Sequence, residues 1–152
     1  MSVRLLILSD SHGYAGELSS VLMKAESMGA LDGVIHLGDG YRDLEPYMAY
    51  LPPVLRVAGN CDFVYDEREL FTRQFGAPLL LSHGHAYHVK SGYGEYQLYA
   101  RRLNARAALF GHTHTPYLKD EDGLLLLNPG SAANGRFALL TLDHTQARAT
   151  LY

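Results

Sequence analysis

Five short polar clusters carry side chains of the kind that bind divalent cations: Asp10-x-His12, Gly38-Asp39, Gly59-Asn60, His83-Gly84-His85 and Gly111-His112-Thr113-His114. Carboxylate, amide oxygen and imidazole together suit borderline cations such as Mn, Fe, Co, Ni or Zn. No thiolate-rich or all-oxygen cage is available, so structural zinc and calcium fit less well. Taken singly each cluster is weak, because a His at a strand end is more often a hydrogen-bonded structural group and Gly-Asp is more often a turn. Five in series, each just past an apolar run, are poorly explained by chance. They also account for an excess of histidine, 8 in a chain with 13 Lys plus Arg and one Cys.

The elements that must position these clusters follow from hydrophobic spacing. Val3–Leu8 reads as a buried strand, and Leu18, Val21, Leu22, Ala25 and Met28 fall on one helical face closed by Gly29. Gly33–Leu37 and Val54–Ala58 read as further strands, with a short helix between them carrying Leu44, Tyr47, Met48 and Leu51 and stopped by Pro52-Pro53. This alternation predicts parallel strands joined by right-handed crossovers. The second half is richer in strands. Glu69–Phe75 and Pro78–Ser82 can pair, and Tyr96, Tyr99, Ala100 and Leu103 mark another helix. Ala107–Phe110 is a further strand. Pro116–Lys119 with Leu124–Asn128, and Phe137–Leu142 with Ala147–Leu151, read as hairpins. Every cluster then lies just beyond a strand, where ligands bind in open α/β sheets, so the loops can converge on one pocket. The glycines allow tight turns there and close approach of backbone to a bound ion.

Composition narrows the class. At 152 residues, 47% hydrophobic and 19% charged, the chain suits one globular α/β domain over 1-152. A lone cysteine excludes an internal disulfide and fits a reducing, cytoplasmic setting. A net charge of -3 argues against a long nucleic acid as partner. The first apolar run is too short to span a membrane and has no cleavage site after it, so neither a membrane anchor nor a signal peptide is expected. A homo-oligomer is compatible with the sequence.

The same residues carry a resemblance. Asp10-x-His12, Gly38-Asp39, Gly59-Asn60-x-Asp62, Gly84 between His83 and His85, and Gly111-His112-x-His114 are similar to the motifs of the calcineurin-like metallophosphoesterases. More narrowly they resemble the compact YfcE-type phosphodiesterase branch, which Asn128-Pro129-Gly130-Ser131 also matches. The resemblance covers essentially the whole chain. It implies a four-layer α/β/β/α sandwich of two mixed sheets flanked by helices, without a cap domain, and two divalent metal ions side by side. Asp10, His12, Asp39 and His114 would hold the first, and Asp39, Asn60, His83 and His112 the second, with Asp39 bridging. Manganese is the first expectation, with nickel, cobalt, iron or zinc as alternatives.

Such a pair of cations clamps a phosphoryl group and lowers the pKa of a bridging water, which attacks phosphorus in line as hydroxide. The implied activity is hydrolysis of a small phosphodiester. Cys61 departs from the wider family, many members of which have a histidine there to protonate the leaving oxygen, although the compact branch commonly has cysteine. A thiol is a poor substitute. His85 is the nearest replacement, with either a role at the phosphate or a supporting role beside the ligands. His36 reads as a core histidine, and His88 and His144 as solvated. Tyr14, Tyr41, Tyr65, Tyr87 and Tyr117 follow the motifs and either rim the pocket or pack at loop edges, the latter being the expectation. Two other functions compete. A protein-binding scaffold, by analogy with the retromer subunit of this superfamily, is supported only by Cys61. A phosphoprotein phosphatase is disfavoured by the small size and the missing histidine.

Overall fold

Strands that are apolar at every position need cover on both faces, and this decides the layering. The computed structural model describes residues 2–152. Its elements run β1 (Val3–Leu8), α1 (Ala15–Ser27), β2 (Gly33–His36), β3 (Val54–Arg56), β4 (Glu69–Thr72), β5 (Leu79–Ser82), α2 (Gly94–Arg102), β6 (Ala107–Leu109), β7 (Tyr117–Glu121), β8 (Leu124–Asn128), β9 (Ala138–Leu142) and β10 (Ala147–Leu151). Two mixed five-stranded sheets form, ordered β10-β9-β1-β2-β3 and β4-β5-β6-β8-β7. Strands β1, β2 and β3 are parallel, as are β5, β6 and β8, while β4, β7, β9 and β10 pair antiparallel.

Alternate residues of each strand face opposite layers. Leu5 and Ile7 of β1, Leu79 and Leu81 of β5, and Leu125 and Leu127 of β8 meet in the core between the two sheets. Leu6 and Leu8 point outward to Leu18, Val21, Leu22 and Ala25 of α1. Leu80 and Leu126 do the same toward Tyr96 and Ala100 of α2. The result is the expected α/β/β/α sandwich. Among the described residues no helix is long and apolar enough to cross a membrane.

The differences from expectation are local. The short helix around Leu44 to Leu51 is one 3-10 turn, Glu45–Tyr47, with Pro46 inside it. The backbone there closes i→i+3 bonds, Tyr47 N donating to Leu44 O and Met48 N to Glu45 O, and Pro46 has no N–H to donate, although Leu44, Tyr47 and Leu51 still pack beneath α1. Strand β4 stops at Thr72 rather than Phe75, because Thr72 Oγ1 accepts from Gln74 N and a turn follows. Tyr96 is fully buried, and its hydroxyl donates to Leu109 O at 2.6 Å. That bond ties α2 to the strand that leads into His112.

Candidate metal centre

All five clusters lie at the carboxyl ends of β1, β2, β3, β5 and β6, at one end of the sandwich. The turns there are tight. Among the described residues nine non-glycine residues have positive φ, and five of them are Asp10, His12, Asp39, His112 and His114. Each such residue costs of order 1–3 kcal/mol, so the surrounding hydrogen bonds must hold the loops in place. Asp10 N donates to Gly38 O and His12 N to Asp39 O, both at 2.9 Å, joining the first two loops. Two glycines are needed for close approach. A Cβ on Gly59 would sit 2.2 Å from Asp39 Oδ1, and one on Gly111 would sit 1.9 Å from Ser9 Oγ.

The side chains form two contiguous donor sets, Asp10 with His12 and His114, and Asp39 with His83 and His112. In the first, Nε2 of His12 and Nε2 of His114 lie 3.3 Å apart, and His114 Nε2 is 3.1 Å from Asp10 Oδ1. In the second, His83 Nε2 is 3.2 Å from both Asp39 Oδ2 and His112 Nδ1. Asp39 Oδ2 lies 3.8 Å from His12 Nε2, so this carboxylate stands at the junction of the sets. Asp10, Asp39 and His83 are buried at the floor, while His12 and His114 are exposed at the mouth. The mouth opens into a cleft of about 540 Å³ lined by His12, Tyr14, His114, Ser131, Ala133 and Asn134.

The donor chemistry fits divalent cations. Asp10 Oδ2 accepts from Ser9 Oγ and His112 N, but Oδ1 is buried with no hydrogen-bond partner. His83 Nδ1–H donates to Leu37 O at 2.8 Å, which aims Nε2 at the carboxylates. Burial pulls the His83 pKa down, but the hydrogen bond to Asp39 and the charge of Asp10 outweigh it and raise it, so without a cation a proton takes that place. Burial raises the Asp39 carboxyl, yet His83, Cys61 N and His12 overcome this and hold it well below the usual range. His112 is lowered to about 4 by burial, His83 and Lys90, leaving a free lone pair. Acceptor facing acceptor around an orphaned oxygen is an arrangement that a cation satisfies.

The remaining predicted residues are placed less centrally. Asn60 is exposed on the loop packed against Asp39, with Nδ2 3.5 Å from Cys61 Sγ. Cys61 N donates to Asp39 Oδ1, and burial with the charge of Asp39 raises its thiol. His85 stands beside the second set, its ring 5.6 Å from that of His83, with both ring nitrogens buried and unpartnered. Burial, His83 and Arg68 lower its pKa. His36 is fully buried and accepts from Gly38 N through Nδ1. Its Nε2–H then donates to Ser11 Oγ, which donates to Asp43 Oδ2 at 2.6 Å. Burial lowers His36 to about 4, so it is neutral. The tyrosines divide: Tyr41 is buried against Arg56, and Tyr87 and Tyr117 pack under α2. Tyr14 and Tyr65 are 60% and 69% exposed.

Several supporting residues were given no role of their own by the sequence reading. Asp43 secures the first loop by accepting from Ser11 Oγ and Gly13 N. Asp62, seen only as part of a motif, accepts from the backbone N–H of Asp39, Gly40, Tyr41 and Gly59. Asn128 Nδ2 donates to Gly111 O and Thr113 Oγ1. Nothing in composition or spacing marks a carboxylate whose partners are backbone groups.

A two-sheet sandwich with paired His/Asp donor sets at the strand ends defines a metal-binding phosphoesterase class. The family description "Calcineurin-like phosphoesterase superfamily domain" matches residues 3–145, and the chain belongs to that family. It is 34% identical over 157 residues to a probable metallophosphoesterase, YsnB, of Bacillus subtilis (strain 168), covering 99% of this chain and 90% of the relative. Its fold is similar to that of zinc-complexed Vps29 from Entamoeba histolytica, with a TM-score of 0.81, 20% identity, and coverage of 99% and 92%. It is likewise similar to an archaeal phosphodiesterase, with a TM-score of 0.77, 16% identity, and coverage of 99% and 100%. At those identities the structural likeness speaks to the fold alone.

Proposed function

We propose that the chain is a metal-dependent phosphodiesterase acting on small phosphodiesters, working in the cytoplasm as a single domain with an open, uncapped site. One observation carries this reading: the two donor sets meet at Asp39, with Asp10 Oδ1 buried and unpartnered between them. Asp10, His12 and His114 would hold one divalent cation, and His83, His112 and Asn60 the other, with Asp39 shared. When bound, two such cations, manganese in the first instance, polarise the phosphoryl oxygens and lower the pKa of water. The chain's own part is positional. Leu37 O fixes the tautomer of His83, and Asp62 clamps the backbone that presents Asp39. The exposed imidazoles of His12 and His114 face the cleft from which the diester would enter.

Cys61 and His85 are the residues proposed to meet the leaving group. The thiol is raised and His85 lowered, so neither is suited to delivering a proton near neutrality. Substrates whose leaving oxygen needs no proton are therefore favoured. The likeness to Vps29 supports a second reading, a protein-binding scaffold. The paired donor sets around the buried, unpartnered Asp10 Oδ1 favour the enzyme reading.

The test is hydrolysis of bis(p-nitrophenyl) phosphate by chelator-treated protein, with each divalent metal added back. Wild type is expected to respond to Mn²⁺, and Asp39→Asn and His83→Ala to lose more than about 100-fold of the rate. Equal, metal-independent rates in all three proteins would overturn the reading.

A further inference from the structure

The cleft at the mouth of the centre has two walls that the proposed chemistry leaves without a role. It is lined by His12 and His114 of the first donor set, and by Tyr14, Ser131, Ala133 and Asn134. The second set does not line it, and neither do Cys61 and His85. At about 540 Å³ it falls in the range of sites that take small organic molecules.

Both walls are fixed to the first ligand loop. Tyr14 N donates to Ser11 O, and Ala15 N to Gly13 O, each at 2.9 Å. With φ of -79° and ψ of 78°, Tyr14 is the centre of an inverse γ-turn at the start of α1. Ser, Thr, Asp and Asn are usual at a helix start because their side chains cap it. Tyr14 makes no such bond and is 60% exposed. The other wall is a 3-10 turn, Ala132–Asn134. Ala132 N donates to Ser9 O at 2.8 Å, and Ser131 Oγ to Asp10 O at 2.7 Å, so this turn is bonded to the backbone that carries Asp10. Asn134 ends the turn and is exposed. An aromatic face and an amide with both donor and acceptor thus stand on a rigid frame beside His12 and His114. Stacking and hydrogen bonds to the base edge are the two contacts by which proteins hold an unpaired nucleobase.

The place of the cleft decides which part of a diester it takes. In an in-line displacement the leaving oxygen departs opposite the attacking one, and the other ester oxygen stays on phosphorus to the side. Cys61 and His85, proposed to meet the leaving group, stand by the second set. Cys61 N donates to Asp39 Oδ1, and the His85 ring is 5.6 Å from that of His83. The cleft at the first set is left for the retained group.

We propose that Tyr14 and Asn134 form the specificity site for the ester group that stays on phosphorus, and that this group is a nucleoside. This rests on the phosphodiesterase reading above and names its substrate class. The base stacks on the Tyr14 ring, and the Asn134 amide bonds to the base edge or the sugar hydroxyls. Water's oxygen adds to phosphorus, the bond to the second ester oxygen breaks, and that oxygen leaves with the electron pair. One proton of water passes to solvent as the product nucleoside monophosphate becomes a dianion. The other goes to the leaving oxygen or, where that departs as a phenolate, to solvent.

The experiment has a kinetic and a binding arm on the metal-replete protein. The kinetic arm uses two diesters that share p-nitrophenolate as leaving group: the p-nitrophenyl ester of thymidine monophosphate, and methyl p-nitrophenyl phosphate. Wild type is expected to favour the thymidine ester at least about 10-fold in kcat/KM, mainly through KM. Tyr14→Ser keeps a residue common at helix starts and is expected to lower that ratio at least about 5-fold, while Tyr14→Phe keeps the ring and the ratio. Asn134→Ala is expected to lower it about 3-fold or more. Tyr50→Ser, at a tyrosine 88% exposed and outside the cleft, is the control and should leave the ratio as it is. The methyl ester rate of each variant reports its folding and metal loading. A wild-type ratio close to unity, or a ratio unchanged in Tyr14→Ser or Asn134→Ala, would overturn the proposal. The binding arm follows thymidine monophosphate by equilibrium dialysis, with at least about 5-fold weaker binding expected in Tyr14→Ser. If wild type hydrolyses neither ester, the phosphodiesterase reading fails, and the dialysis still decides the nucleoside site: equal affinity in wild type and Tyr14→Ser, or none in wild type, rules it out.

Discussion

Replacing Asp62 by Asn keeps the shape of the side chain and exchanges one acceptor oxygen for an NH2 group. Asp62 Oδ2 accepts from Asp39 N and Gly59 N, both at 2.7 Å, and Oδ1 accepts from Gly40 N at 2.8 Å and Tyr41 N at 3.1 Å. Whichever way the amide turns, two backbone N–H groups then face an NH2 group. Each buried donor left without a partner costs about 1–3 kcal/mol. Asp62 is half-buried and water can relieve part of this, so the pair is expected to cost about 2–4 kcal/mol. For a chain of this size that lowers Tm by about 4–16 °C. Because the clamp presents Asp39, the affinity for Mn²⁺ is expected to fall by about 10–100-fold, the usual loss when a residue supporting a metal ligand is removed. Thermal unfolding in excess chelator gives the first number and calorimetric metal titration the second. Asp62→Ala removes the same acceptors but admits water, so it should be no more harmful than Asp62→Asn. A Tm for Asp62→Asn within about 2 °C of wild type would refute the clamp, since two opposed N–H pairs cannot cost so little.

Three further outcomes are expected. His36 has a pKa of about 4 in the folded chain against 6.5 unfolded, so protons favour the unfolded state. Its contribution is fully present above about pH 6.5 and is lost toward pH 4 at up to about 1.4 kcal/mol per pH unit. Urea unfolding of the metal-free protein should show this slope, and His36→Gln should flatten it; the same slope in both would count against the buried neutral imidazole. Gly59→Ala places a methyl group 2.2 Å from Asp39 Oδ1, so it should weaken metal binding at least about 10-fold by calorimetry. Tyr96→Phe removes the bond to Leu109 O and is expected to cost about 1 kcal/mol in urea unfolding.

Much of the architecture was legible because strands and loops write their constraints locally. Runs such as Leu5 to Leu8 are apolar at every position, which requires cover on both faces. The donor clusters sit in short glycine-bearing loops directly after those runs, so their placement at strand ends followed from order alone. The segment from Leu44 to Leu51 was misread because its helical spacing is real, yet its backbone closes tighter i→i+3 bonds, with Pro46 unable to donate one. Asp62 and Asp43 were underrated for another reason. Their partners are backbone N–H groups and a serine hydroxyl, and no residue type announces that.

The sequence by itself determined the kind of chemistry available: which side chains can donate to a cation, and that each would stand beyond a strand. Those are properties of residue type and short-range spacing. Tertiary structure alone decided which donors meet. His12 and His114 are 102 positions apart and lie 3.3 Å from each other at Nε2. Asp39 becomes the junction because β1 and β2 lie side by side while β5 and β6 of the other sheet bring His83 and His112 over it. Distance in space depends on how the sheets pack, and that packing is a sum over the whole core that no single motif records.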